Sequence, residues 1–468
     1  MRNAIHRAND HKSAEANNLY TRYCVLISVM ALVRSVAVVN ADPTTTNQPP
    51  PSLTYVPARA YHVPPETTTG ESGYFSLCEG KNGKIYIGTT GYGVNSYLVE
   101  FDPETEKMRP VLDTHSVVGL PLEPTGYAAQ AKIHTRNFVG PSGIIYLGSM
   151  EGYRTEEEKK SGEPVYKGGY IMTYDPDTGE AKNLGMPFPF GDYRQAPLVV
   201  KGQGVIDVVA DESRGLLYVI TNPEHHWMKY EIDHPEKGYR HLGPVLVNTQ
   251  SNTLIDRQGR ATGITRDFQI ARYDPNTDST TITEFLVDGK PFREVVGLKH
   301  ISPDWRLSDD GKTVYLQLLN DLRMFEVDLG SATGKPVHGR SLGPRIEGKN
   351  PDSRGSICIA PDGRVYSFVR VDNETVFGAR SLHHLVRYDP RLADMTDIGI
   401  ATISNPGYFE FDEDQSRQPS GGFRRLPDGT LTPLYILALI AASDGTLYAT
   451  ALYPFTLMKI SPDVLSRK

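Results

Sequence analysis

From about residue 53 onward, short apolar runs alternate with clusters of Gly, Asp, Asn and Pro. No long segment repeats apolar residues at helical spacing between capping residues, so the pattern predicts strands and tight turns rather than helices.

The runs recur in pairs. A two-residue turn ending in Gly precedes the first run of each pair. The turns are Asn82-Gly83 before KIYIGTT, Ser142-Gly143 before IIYLGS, Arg214-Gly215 before LLYVIT and Gln258-Gly259 before RATGIT. They continue as Asp310-Gly311 before KTVYLQLL, Asp362-Gly363 before RVYSFV and Asp444-Gly445 before TLYATAL. The second runs are YLVEFDP, YIMTYDP, WMKYEID, QIARYDP, LRMFEVD, HLVRYDP and FTLMKISP. Gly supplies positive φ in a tight hairpin. Asp at the end of the second run accepts a backbone hydrogen bond, and Pro pre-sets φ at the next position. One strand before each Gly turn and one after each Asp-Pro turn complete a four-stranded repeat of about 40–50 residues.

Seven copies predict an all-β fold, a seven-bladed β-propeller over residues 53–468. The last copy stops soon after its third strand. The unassigned run 53–61 is expected to supply the missing outer strand, which would close the ring and pair an open edge. Length variation falls on the connections between second and third strands (151–168, 371–381). It also falls on those between repeats (186–203, 287–304, 401–434). Both classes lie on one face of a propeller, so a functional pocket is expected there.

Composition refines this picture. Hydrophobic residues make up 39% and charged residues 22%, as in ordinary soluble domains. Residues 1–41 read as an export signal. Arg2, Arg7, Lys12 and Arg22 precede an apolar run over 23–39, which ends in the small-residue pattern Val39-Asn40-Ala41. Arg34 makes that run a costly membrane span. No span is therefore expected after its removal, and the protein is expected to be secreted or periplasmic. Residues 42–52 read as a disordered linker. The chain holds 49 Lys and Arg against 56 Asp and Glu. Residues 1–41 contain five and two of these, so 44 and 54 remain, a net charge of −10. Such a chain carries no electrostatic footprint for nucleic acid, and an anionic ligand needs a local basic patch. Cys78 and Cys358 are no disulfide framework and read as small buried hydrophobes. No HExxH, CxxC pair, Walker loop, EF-hand loop or GxSxG occurs. No metal or cofactor is assigned.

The candidate site residues lie in long connections or at the ends of first strands. His134 falls in KIHTR, where a histidine on an inner strand is costly to bury without a partner. His225 and His226 fall in the turn NPEHHW, Tyr193 and Arg194 in the connection before the third copy, and Lys299, His300, Trp305 and Arg306 in the connection before the fifth. Arg354 begins the sixth copy, and Tyr453 lies in a turn of the seventh. His134, His226 and Tyr193 are the catalytic candidates. Arg194, His225, Lys299, Trp305, Arg306, Arg354 and Tyr453 are the substrate-binding ones. Trp227 reads as a packing residue, as Trp305 also can, and His383 and His384 read as surface residues.

The segments KIHTRNFVGPSGIIYLGS, GVIDVVADESRGLLYVITNPEHHWMKYEI and LPDGTLTPLYILALIAASDGTLYATALYPFTLMKI resemble secreted bacterial propellers. Among these are the seven-bladed polysaccharide lyases that act on uronate polymers, of the ulvan-lyase and oligogalacturonate-lyase type. The resemblance implies β-elimination. A cation neutralises the uronate carboxylate, a neutral His removes the acidified proton, and a Tyr protonates the leaving oxygen. It places His134 and His226 where such lyases carry histidines. The chain departs from the pattern at Asn222 and Asn252, where those enzymes tend to have Tyr and Arg, and it lacks their further His after YLGSM. Tyr193 and Arg306 are the available substitutes.

Three functions follow from these readings. The first is a polysaccharide lyase-like enzyme whose partner is an acidic polysaccharide or oligosaccharide. The second is a non-catalytic propeller that binds glycan or protein. The third, the least supported, is a metal-dependent sugar-lactone hydrolase.

Overall fold

The computed structural model describes residues 53–466, apart from 121–128, 153–155, 163–165, 186–201, 248–251, 298–301, 373–380 and 412–420. The export signal and linker read over 1–52 lie outside the described residues. Strands dominate, and the helices are short, as in Thr114–Val118 and Glu156–Ser161. No helix among the described residues is long and apolar enough to cross a membrane.

Each repeated pair folds as an antiparallel hairpin, and the Gly turn before it joins its first strand to the strand that precedes it. Gly215 takes φ 63° and Gly445 φ 84°, a region that costs glycine little and other residues more. Gly204–Asp211, Leu216–Asn222, His226–Glu231 and Arg240–Val245 form a four-stranded antiparallel sheet in chain order. Leu254–Ile255, Ala261–Ile264, Ile270–Asp274 and Ser279–Thr283 form the next. Pro303–Leu307, Thr313–Leu318, Arg323–Asp328 and Val337–Pro344 repeat the order inside a six-stranded sheet. Earlier in the chain, Glu71–Glu79, Ile85–Thr90, Tyr97–Asp102 and Lys107–Asp113 do the same. Lys132–Ile133 joins them to Ile145–Met150, Ile171–Tyr174 and Ala181–Gly185 in one nine-stranded sheet.

The last two units share an eleven-stranded sheet, because Tyr55–His62 lies between them. Its first half pairs in parallel with Asp394–Ile403, from Tyr55 opposite Ile400 to Ala58 opposite Ile403. Its second half pairs antiparallel with Thr456–Ile460, from Arg59 opposite Lys459 to His62 opposite Thr456. Val56, Ala58 and Ala60 are all buried beneath it.

Hydrogen bonds tie each unit to the next. Ser76 Oγ donates to Asn137 Oδ1 at 2.9 Å, and the Gly169 amide to the Gln203 carbonyl at 2.9 Å. The Thr253 amide donates to Asp207 Oδ2 at 2.8 Å, and the Trp305 indole to the Asn252 carbonyl at 3.0 Å. Gln317 Nε2 donates to the Ser353 carbonyl at 3.5 Å, and Arg370 Nη1 to the Leu434 carbonyl at 3.1 Å. The Tyr453 hydroxyl then donates back to Glu71 Oε1 at 2.6 Å. Antiparallel sheets bonded in chain order, with the last returning to the first, make this a β-propeller.

The core lies between successive sheets. Trp227 is fully buried, and its indole N–H donates to Thr253 Oγ1 at 3.1 Å. Cys78 and Cys358 are buried free thiols.

Two readings need correction. Trp305 and Arg306 lie not in a connection but in the strand Pro303–Leu307, and Trp305 is only 1% exposed. With its N–H on the Asn252 carbonyl, Trp305 is a packing residue and not a sugar platform. His383 and His384 are buried rather than superficial. Their strand, Ser381–Asp389, is flanked on both edges by Val365–Asp372 and Asp394–Ile403. His383 Nε2 lies 3.1 Å from the Leu434 carbonyl, and His384 Nδ1 lies 2.9 Å from Asp397 Oδ2.

Candidate active site

Lys132, His134 and Arg136 alternate along the inner edge of the second unit. The strand is short, Lys132–Ile133, and the chain bends at Thr135, but all three side chains pack against the neighbouring aromatics Tyr74 and Phe75. The His134 ring lies 4.9 Å from that of Tyr74, tilted by 31°, and meets Phe75 edge-on at 5.3 Å. Tyr74 is presented by a left-handed backbone, φ 61°, where its strand breaks register with Ile85–Thr90. Lys132 Nζ lies 5.0 Å from the Tyr74 ring centre and 4.8 Å from that of Tyr92. These are cation–π distances. The Arg136 guanidinium sits 4.7 Å over Phe75.

Neighbouring units complete the cluster. Glu71 accepts hydrogen bonds from the Tyr453 hydroxyl at 2.6 Å and the Tyr92 hydroxyl at 2.8 Å. Arg354 pairs with Asp352 at 3.2 Å, and Arg370 holds the same carboxylate at 2.8 Å. The Arg370 guanidinium also lies 5.5 Å over the Tyr435 ring. Asp352 is the chief group holding the charge of Arg354, and Tyr74 and Tyr435 lie near it. Deeper in, Arg136 bonds Asp304 Oδ1 at 2.9 Å, and Arg306 reaches the same oxygen at 2.5 Å.

Electrostatics sets the protonation states. Burial, then the charges of Lys132 and Arg136, hold His134 well below the usual histidine range, so it is neutral. Its Nδ1 is buried without a hydrogen-bond partner among the described residues. Burial pulls Lys132 down to about 8 against the opposing pull of Glu71 and Glu151. Asp207 is pushed up to about 6 by burial, despite Arg136, the Thr253 amide and Arg306.

The Asp207 shift has a measurable sign. The unfolded carboxyl titrates near ~3.9, so between about pH 4 and 6 the folded state binds more protons and stability falls as pH rises. The expected loss is roughly 2–3 kcal/mol. In Asp207→Asn, whose amide oxygen can still accept from Thr253, that slope disappears. Urea midpoints of the two proteins across this range should converge or diverge accordingly. Parallel curves would show that Asp207 is already ionised at pH 4.

The other expected residues divide into groups. Arg354 and Tyr453 join the cluster around His134. Arg306 is linked to it through Asp304, the carboxylate that it shares with Arg136. Asn252 Nδ2 donates to the Trp305 carbonyl at 3.4 Å. His226 has different partners: its Nδ1 lies 3.1 Å from His241 Nε2, and its amide donates to Thr221 Oγ1 at 3.1 Å. His225, with φ 59°, is buried and held down to about 3 by burial, Arg266 and His226. Both His134 and His226 lie at the ends of their units away from the Gly turns. Tyr193, Arg194, Lys299 and His300 lie outside the described residues. Among the described residues, no group of three or more His, Cys, Asp or Glu is arranged to hold a metal ion.

Sequence reasoning missed Tyr74, Lys132, Arg136, Asp304, Arg370 and His241. The alternation in Lys132-x-His134-x-Arg136 was the one usable signal. Tyr74 reads as an ordinary strand aromatic until its backbone turns over.

No family model and no curated protein matches this chain. Solved structures resemble it at low identity. The streptogramin B lyase structure is 10% identical over 86% of this chain and 96% of that one, with a TM-score of 0.47. The Cps50 (Swd1) β-propeller domain from Myceliophteria thermophila is 11% identical over 86% and 100%, with a TM-score of 0.48. A chain of the mitotic checkpoint complex is 10% identical over 92% and 99%, with a TM-score of 0.47. The fold assignment rests on the sheet topology of the chain itself.

Proposed function

We propose that this is a secreted seven-bladed propeller, closed by Tyr55–His62, that cleaves uronate-containing saccharides by β-elimination at the mouth around His134. The observation that carries the reading is the His134 ring itself. It is neutral and lies in tilted contact with Tyr74, with Nδ1 unpartnered among the described residues and cations on either side. An imidazole in that state can accept a proton, and burying it without a partner is otherwise costly.

In this reading the uronate carboxylate docks against Arg354, with Lys132 adding positive potential. Neutralising the carboxylate acidifies the neighbouring C–H. His134 takes that proton. The electron pair forms the new C=C bond as the glycosidic C–O bond breaks, and in this reading Tyr74 protonates the leaving oxygen. No metal is required by the residues named. Incubation with ulvan, pectate or a glycosaminoglycan tests the proposal. The expected result is a rise in ultraviolet absorbance from the unsaturated product. Binding of these polymers with no absorbance rise would instead favour a non-catalytic glycan-binding propeller.

A further inference from the structure

The pair His226–His241 sits on adjacent antiparallel strands, His226–Glu231 and Arg240–Val245. Their rings meet at 5.2 Å and 70°, edge to face. Two hydrogen bonds fix which nitrogens carry protons. The Gly243 amide points at His241 Nδ1 at 2.9 Å. An amide can only donate, so this Nδ1 is an acceptor and bears no proton. A neutral imidazole has one N–H, so that of His241 is on Nε2. Nε2 faces His226 Nδ1 at 3.1 Å and therefore donates to it. His226 Nδ1 is then an acceptor in turn, and the proton of His226 lies on Nε2.

We infer that His241 is a positioning residue that holds His226 as a neutral imidazole with its proton on Nε2. The chain of bonds runs one way, from Gly243 through His241 to His226. A second proton on either ring would break one of its two bonds. A proton on His241 Nδ1 faces the Gly243 amide, and one on His226 Nδ1 faces the His241 N–H. Burial, and then the neighbouring His226, pull His241 down to about 4, in keeping with this arrangement. Among the described residues, the titratable and charged neighbours on this side include His225 and, against His225, Arg266; Lys229 further along the strand is engaged by Asp278 at 3.0 Å.

The assignment separates the roles of the two histidines. His134 offers a lone pair, whereas His226 offers an N–H. A neutral imidazole N–H is suited to donating a hydrogen bond to an oxygen on which negative charge develops. This second step rests on the β-elimination reading, in which the uronate carboxylate gains enolate character as the proton leaves. The tautomer assignment does not depend on it.

The test is long-range ¹H–¹⁵N correlation of the full chain labelled at histidine, at neutral pH. Wild-type His226 is expected to show only the tautomer protonated on Nε2, and His241 the same tautomer. In His241→Leu the His226 signal should move to a mixture of tautomers. In His241→Gln, whose amide N–H can replace the donor, it should stay with the wild type. An Nδ1-protonated or doubly protonated His226 in the wild type overturns the inference without any variant having to fold. So does a His226 signal unchanged by His241→Leu in a protein whose other histidine signals are native. If a uronan proves to be a substrate, His241→Leu should lower kcat roughly tenfold and leave KM near its original value. Absence of turnover on every uronan would remove the oxyanion role and leave the tautomer result standing.

Discussion

His134→Gln is expected to lower the rate of unsaturated-product release by about 10²–10⁴-fold, the usual contribution of a positioned general base. The glutamine amide keeps much of the volume between Tyr74 and Phe75 but has no basic lone pair. Affinity for the polymer should change little, because the docking charges of Arg354 and Lys132 remain. The variant would therefore separate kcat from KM. Equal losses in both would mean that His134 is a binding residue. An unchanged rate would move the chemistry away from this mouth altogether.

Deleting residues 53–62 is expected to abolish cooperative folding. The strand Tyr55–His62 bonds Asp394–Ile403 with one half and Thr456–Ile460 with the other, so its removal exposes two sheet edges at once. It also uncovers the apolar surface beneath Val56, Ala58 and Ala60, and leaves Asn405 without the Ala60 backbone, to which its side chain both donates and accepts. Circular dichroism and thermal melts of the truncated chain, with and without the separate peptide 53–62, provide the measurement. A cooperative melt close to that of the intact protein would mean that the ring does not depend on this strand. Recovery on adding the peptide would locate the loss in the strand itself.

The repeat was legible because turn chemistry is local. Asp-Gly and Asp-Pro act through φ and one or two hydrogen bonds, and these need no knowledge of the rest of the fold. What the sequence could not convey was partnership across units. Asp304 appears as one acidic residue among many, and only assembly brings it within 2.9 Å of Arg136, a residue 168 positions away. His241 reads as a polar residue of an outer strand, and its meaning depends on strand register. Trp305 and the His383–His384 pair were misplaced for a related reason. Strand boundaries were drawn from apolar runs, whereas Pro303–Leu307 and Ser381–Asp389 begin in polar or mixed sequence.

The bridge from Arg136 to Asp304 has a consequence for how a long ligand approaches. It spans from the second unit to the fifth, so it crosses the axis rather than following the circumference. A polymer cannot pass lengthwise through a bore that is barred in this way. A long ligand at this end would have to lie across the units rather than run through them.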